Sequence, residues 1–218
     1  MECKKKIIFI FFILIRLNLL KLEYKITAIN PFLWIMFDEI EIVNEINEGD
    51  LFLRKISKND VHFFYESLKV REMVGYLSLG PLRSLEHARR LIKNYLKAWD
   101  KYQQFNYIIE LSQHRNPEKI GSVSLWNVSW LHSRSGVGIW LLPEYWNRGI
   151  GKTVLKLIKN IAFIHLKLHR IEAHIAVENL RSIKLFSNSN FKNEGRLSEY
   201  LNINDKFQDA YIFACLSS

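Results

Sequence analysis

The chain has 218 residues, of which 49% are hydrophobic and 24% charged, with a formal net charge of +9. That length allows one well-packed domain or at most two small ones, and the composition excludes a disordered or fibrous chain. The positive balance favours acidic partners in general, such as an anionic small ligand, an acidic peptide or a nucleic acid. It is spread along the chain without a basic stripe and interleaved aromatics, so direct nucleic-acid recognition is not expected.

Lys4, Lys5 and Lys6 precede nine apolar residues, Ile7 to Ile15. Nine residues cannot span a bilayer as a helix. Four readings are open for residues 1–35: an appendage or misplaced start, with Met36 as a fresh beginning; an arm contacting a membrane or partner through residues 7–15; a leader peptide; and an extra strand of the fold. Residues 36–218 then form a single domain.

Leu51 to Ile56 reads as a strand. Ser57-Lys58-Asn59-Asp60 resembles a capping box, and Val61, Phe64, Tyr65 and Leu68 follow at helical spacing. Ser84 is a second N-cap, with Glu86 in the first turn. Ala88, Leu91, Ile92, Tyr95 and Trp99 repeat at three and four residues, so two helices should cover one face of a sheet. Phe105 to Ser112, Gly121 to Trp130 and Val137 to Leu142 are short strands joined by turns, which implies antiparallel pairing. A helix begins near Gly151 and carries Val154, Leu155, Ile158, Ala162 and Leu166. Arg170 to Val177 is a strand, and Asn179 starts another helix. Phe191 to Leu201 and Asp209 to Leu216 form a final antiparallel pair. The order fits a mixed α/β sheet with helices on both faces. Cys3 and Cys215 form neither a metal spacing nor a disulfide framework, which points to a reducing cytoplasm.

The chemistry concentrates where the strand ending at Leu142 meets Pro143-Glu144-Tyr145-Trp146-Asn147-Arg148-Gly149-Ile150-Gly151-Lys152-Thr153. Bare amides at a helix start attract anions, and Arg148 and Lys152 add charge. Gly151-Lys152-Thr153 ends like a nucleotide P-loop, but Trp146 stands where that loop needs glycine.

Trp146-Asn147-Arg148-Gly149-Ile150-Gly151, Arg170-Ile171-Glu172-Ala173, the segment Glu178 to Phe186 and Asn190 to Arg196 occur in the order found in the GNAT superfamily of N-acetyltransferases. From about Leu51 to Leu216 the chain resembles that superfamily, and within it the RimJ/RimL type. The resemblance implies a GNAT-like acyl-CoA N-acyltransferase fold with a mostly antiparallel central sheet, acetyl-CoA as cosubstrate, and a cytoplasmic monomer or homodimer. It implies a protein or peptide N-terminal amine as acceptor. The alternatives are a small amine (polyamine or aminoglycoside) and a non-catalytic CoA-binding domain. An α-amine with a pKa near 8 is about a tenth neutral at pH 7, which makes it an easier acceptor than lysine.

The resemblance also implies site roles. The acetyl carbonyl lies beside Gly138, Ile139, Trp140 and Leu141, where two strands splay. The pyrophosphate takes the turn from Asn147 through Arg148, Gly149, Ile150, Gly151 and Lys152 to Thr153. Asn179 binds the cofactor arm, and Ser182 stands on the thiol side as the catalytic candidate. Asn179 reads equally as a helix cap, and Ser182 as a partner of its own backbone. Three positions depart from the family: Phe186 where many members have Tyr, Gly136 where the nearest branch often has Glu, and Asn190 in place of Gly. Glu110, His132 and Glu172 are the conceivable bases. His165, His169 and His174 read as core or solvated residues and not as a metal cluster.

Overall fold

The computed structural model describes residues 40–70, 74–77, 81–113, 116–203 and 205–217. The readings of residues 1–35 lie outside them. No helix among the described residues is long and apolar enough to cross a membrane.

Eight strands form one sheet in the order β1-β2-β3-β4-β5-β6-β8-β7. They are β1 (Glu45–Glu48), β2 (Leu51–Lys55), β3 (Phe105–Gln113), β4 (Asn116–Ser129), β5 (Arg134–Leu141), β6 (Arg170–Ala176), β7 (Lys192–Ile203) and β8 (Lys206–Leu216). Every neighbouring pair is antiparallel except β5 with β6. This is the mixed, mostly antiparallel sheet expected. β1 is the element the sequence concealed: it is short, acidic and mostly exposed, so it shows no alternation. It pairs with β2 through a tight turn at Gly49, whose φ of +58° suits glycine.

The helices are α1 (Val61–Leu68), α2 (Leu85–Asp100), α3 (Ile150–Asn160) and α4 (Leu180–Ser187). Ser57 and Asp60 do form a capping box, around a short 3-10 turn that leads into α1. The Ser84 hydroxyl accepts the His87 amide and starts α2. Ile56, Phe64, Leu68, Ala88, Ile92 and Ile108 bury one another, with Trp140 packed against them, so α1 and α2 cover one sheet face. Ile108 and Ile109 point to opposite faces and both are fully buried. The second face is therefore covered too, and α3 packs there against β1, β2 and β4. A π-helical turn, Ile161–His165, ends the third helix, and Leu166 follows it into the core.

One polar cluster ties the helical layer to the sheet. The Asp60 side chain is fully buried. It accepts two bonds from the Arg54 guanidinium, at 2.9 and 2.8 Å, and one from the Ser57 amide, and Lys119 Nζ lies 2.7 Å away. Arg54 Nε also donates to Glu110 Oε1 at 2.9 Å. Burial alone would push the Asp60 pKa up. The Arg54, Lys119 and Ser57 hydrogen bonds outweigh it and hold the carboxyl well below the usual range. A carboxylate depressed on folding contributes stability above its unfolded value, near 3.9, and loses it as pH falls towards the folded value. Asp60→Asn should therefore cost about 3–5 kcal/mol at pH 7. Urea unfolding at stepped pH checks this: the gap to the unaltered protein should narrow below about pH 4.

Candidate active site

β5 and β6 are paired only through Arg134–Arg170, Ser135–Ile171 and Gly136–Glu172. Beyond Gly136 the two strands part. The Leu142 amide bonds to Ile120 O, which sets the alternation of β5. Gly138 and Trp140 turn their backbone groups to β4, while Ile139 and Leu141 turn theirs to the gap. The Ile139 and Leu141 amides thus face an opening with no ladder partner. The Trp140 ring belongs to the core, stacked on Phe63 at 5.6 Å and edge-on to Phe64 at 5.5 Å.

The loop after β5 opens onto the same gap. Trp146 anchors it: its indole N–H donates to Leu141 O at 2.8 Å, and the Arg181 guanidinium lies 3.5 Å above its ring. Asn147 and Gly149 both have positive φ, 59° and 79°. The amides of residues 147–151 make no backbone hydrogen bond among the described residues, whereas those of Lys152 and Thr153 are turned onto Gly149 O. The two glycines serve different ends. Gly149 faces open space and owes its identity to its φ. A Cβ on Gly151 would lie 3.1 Å from Leu185, so this glycine lets α4 pack closely on α3.

Asn179 is the N-cap of α4, its Oδ1 accepting the Ser182 amide at 3.2 Å. The Ser182 hydroxyl makes no hydrogen bond within the described residues, so it is the polar atom this turn offers outward. Phe186 is buried edge-to-face on Phe191, with ring centroids 4.9 Å apart. Asn190 has a φ of 65°, the left-handed conformation that asparagine tolerates.

On the sheet face that carries α1 and α2, the row Trp126–Gly136–Glu172 crosses β4, β5 and β6. A side chain on Gly136 would collide with the Trp126 indole, so tryptophan fills the space of the missing carboxylate. Trp126 continues towards His174, with ring centroids 5.9 Å apart, and Tyr200 lies 4.6 Å beyond. Sequence reasoning passed over Trp126 and Tyr200, which no motif marks.

The three conceivable bases fare poorly. Glu110 is held by Arg54. Glu172 accepts from Arg170 Nε at 2.9 Å and lies 3.5 Å from Arg134. His132 is exposed in the turn before β5, at the end of that strand remote from the loop. His165 pairs with Glu41, and His169 lies 3.1 Å from Ser217 Oγ.

CoA is a polyanion with a long polar arm. The free loop amides, together with Arg148, Lys152 and Arg181, fit its phosphates, since none of these cations pairs with a carboxylate among the described residues. A surface hollow of about 840 Å³ between β1, α3 and β7–β8 contains none of residues 138–141, 147–153, 179 or 182.

The family described as an acetyltransferase (GNAT) domain matches residues 50–192. The chain is 27% identical over 161 residues to the spermidine N(1)-acetyltransferase of Vibrio cholerae, covering 74% of this chain and 90% of that one. The corresponding Escherichia coli K12 protein is 29% identical over 158 residues, covering 72% and 81%. The crystal structure of the Vibrio cholerae spermidine N-acetyltransferase with CoA and spermine superposes with a TM-score of 0.69 at 27% identity, covering 78% of this chain and 96% of that one. These likenesses overturn two expectations, the RimJ/RimL branch and the protein or peptide N-terminus as acceptor. The reason is physical. The Trp146 to Gly151 turn offers amides and cations suited to a phosphate, a feature that says nothing about the acceptor. The chain belongs to the GNAT acetyltransferase family, and is an acetyl-CoA-dependent amine N-acetyltransferase.

Proposed function

We propose that this enzyme acetylates a primary amine of a linear polyamine of the spermidine class. The likeness to spermidine acetyltransferases over about three quarters of the chain carries the reading. Trp126 and Tyr200 support it, because aromatic faces beside the strand gap attract an ammonium group without a net negative pocket. The chain's net charge of +9 does not oppose this, since a site's charge is local.

The residues divide the work as follows. Acetyl-CoA supplies an acyl group already activated as a thioester. The amides of residues 147–151, with Arg148 and Lys152, hold its diphosphate. The Ile139 and Leu141 amides face the gap, where they stabilise negative charge developing on the carbonyl oxygen. Asn179 fixes the first turn of α4, which presents the Ser182 hydroxyl as the proton donor on the sulfur side. The acceptor approaches from the sheet face that carries the Trp126 row, where it is held near the thioester.

Two outcomes follow. Acetyl-CoA at about a hundred times its Kd should add about 2.7 kcal/mol of stability, read as a rise in Tm. Gly149→Val should remove that rise while the fold persists, because a branched side chain resists a φ of +79°. Thiol release from acetyl-CoA should be fast with spermidine or spermine, and slow with N-terminal peptides and aminoglycosides. It should rise with pH, as an alkyl ammonium with a pKa near about 10 loses its proton. Turnover confined to an aminoglycoside would contradict the polyamine reading.

A further inference from the structure

The arrangement above gives the acceptor nitrogen's proton no destination. Glu110 and Glu172 are committed to arginines, and Ser182 stands on the sulfur side. Among the described residues, His174 is an imidazole on the acceptor face of the gap that no arginine engages. His174 is two residues beyond Glu172 on β6, past the last pair with β5, and on the same face as Gly136 and Gly138. The Trp126 indole connects the two banks: its Nε1 lies 3.7 Å from the Cβ position of Gly138, and its ring faces His174. The His174 side chain is 10% exposed, and neither ring nitrogen has a hydrogen bond within the described residues. Its nearest charged group is Glu172 Oε1, 3.9 Å from Nε2.

We infer that His174 is the proton acceptor of the transfer, taking the proton of the acceptor nitrogen as the C–N bond forms. The inference rests on the acetyl-transfer reading of the site. The amine nitrogen provides the electron pair of the C–N bond, and the C–S bond breaks with its pair leaving on sulfur. The nitrogen sheds one proton to the imidazole and the sulfur gains one. The imidazole returns to neutral by passing its proton on through solvent.

The surroundings suit the task. Burial lowers the His174 pKa, Glu172 raises it, and Arg170 lowers it again. Arg134 also reaches Glu172. Tyr200 approaches from β7, while Trp126 on β4 and Ile212 on β8 are uncharged. The net effect lowers the His174 pKa, which favours the neutral ring that can accept a proton.

The test is kcat against pH, with acetyl-CoA and spermidine, for the unaltered enzyme and His174→Gln. On top of the rise set by the amine's own deprotonation, the unaltered enzyme should show an additional acidic limb below about pH 6.5, where the imidazole becomes charged and cannot accept. His174→Gln should lower kcat about 100-fold and abolish that limb, leaving the Tm rise with acetyl-CoA intact. Unchanged kcat, or a reduced kcat that keeps the limb, overturns the inference while leaving acetyl transfer standing. No thiol release by the unaltered enzyme with any amine overturns the acetyl-transfer reading itself. Should the variant fail to fold, the imidazole resonance of His174 in the unaltered protein decides: a pKa above about 7 contradicts the inference.

Discussion

The parting of β5 from β6 is the constraint on which the site depends. The sheet is continuous from β1 to β7, but its single parallel junction holds for only three residue pairs. Past Gly136 and Glu172, backbone groups that a ladder would consume are left facing an opening. Such groups are costly to bury without partners, so the opening is maintained as a place for something polar to bind. The closely packed layers on either side keep it open. Trp140 is locked into the α1–α2 core, and Leu141 O is engaged by Trp146, so the C-terminal end of β5 is not free to swing back to β6.

The loop extends the same logic from a strand edge to a helix end. Its positive φ values at Asn147 and Gly149 leave successive amides unpaired, as in the concave backbone nests that bind anions. Gly151 has a different duty. By letting Leu185 approach, it joins α3 to α4 and brings the Asn179–Ser182 turn alongside the loop's helix. The loop amides and the Ser182 hydroxyl are thus linked through one packing contact. On the opposite face, Gly136 makes room for Trp126, which puts an aromatic ring where a side chain on residue 136 would stand.

Much of this was legible in the sequence. Ser57, Asp60 and Ser84 announced their caps through residue types that bond backbone amides locally. The alternation Ile171, Ala173, Ile175 placed β6 correctly because one of its faces is buried. The Trp146 to Gly151 motif marked the loop. Other features depend on contacts between distant residues. β1 lacks an apolar face, so nothing in its own residues declares a strand. Asp60 reads as a cap, and only the folded chain shows it beneath Arg54 and Lys119. His174 reads as an ordinary strand residue until the sheet places it across the gap from Gly138. The acceptor class was misjudged because the motifs most visible in sequence mark the superfamily and say nothing about the acceptor.

The central claim is that the opening between β5 and β6, continued by the loop before α3, is where acetyl-CoA binds. Amide hydrogen exchange with and without acetyl-CoA tests it most directly. The account predicts slowed exchange concentrated at Ile139, Leu141 and residues 147–151, with smaller protection around Asn179 to Ser182. Protection elsewhere in the sheet, with these amides exchanging as fast as in the free protein, would contradict it.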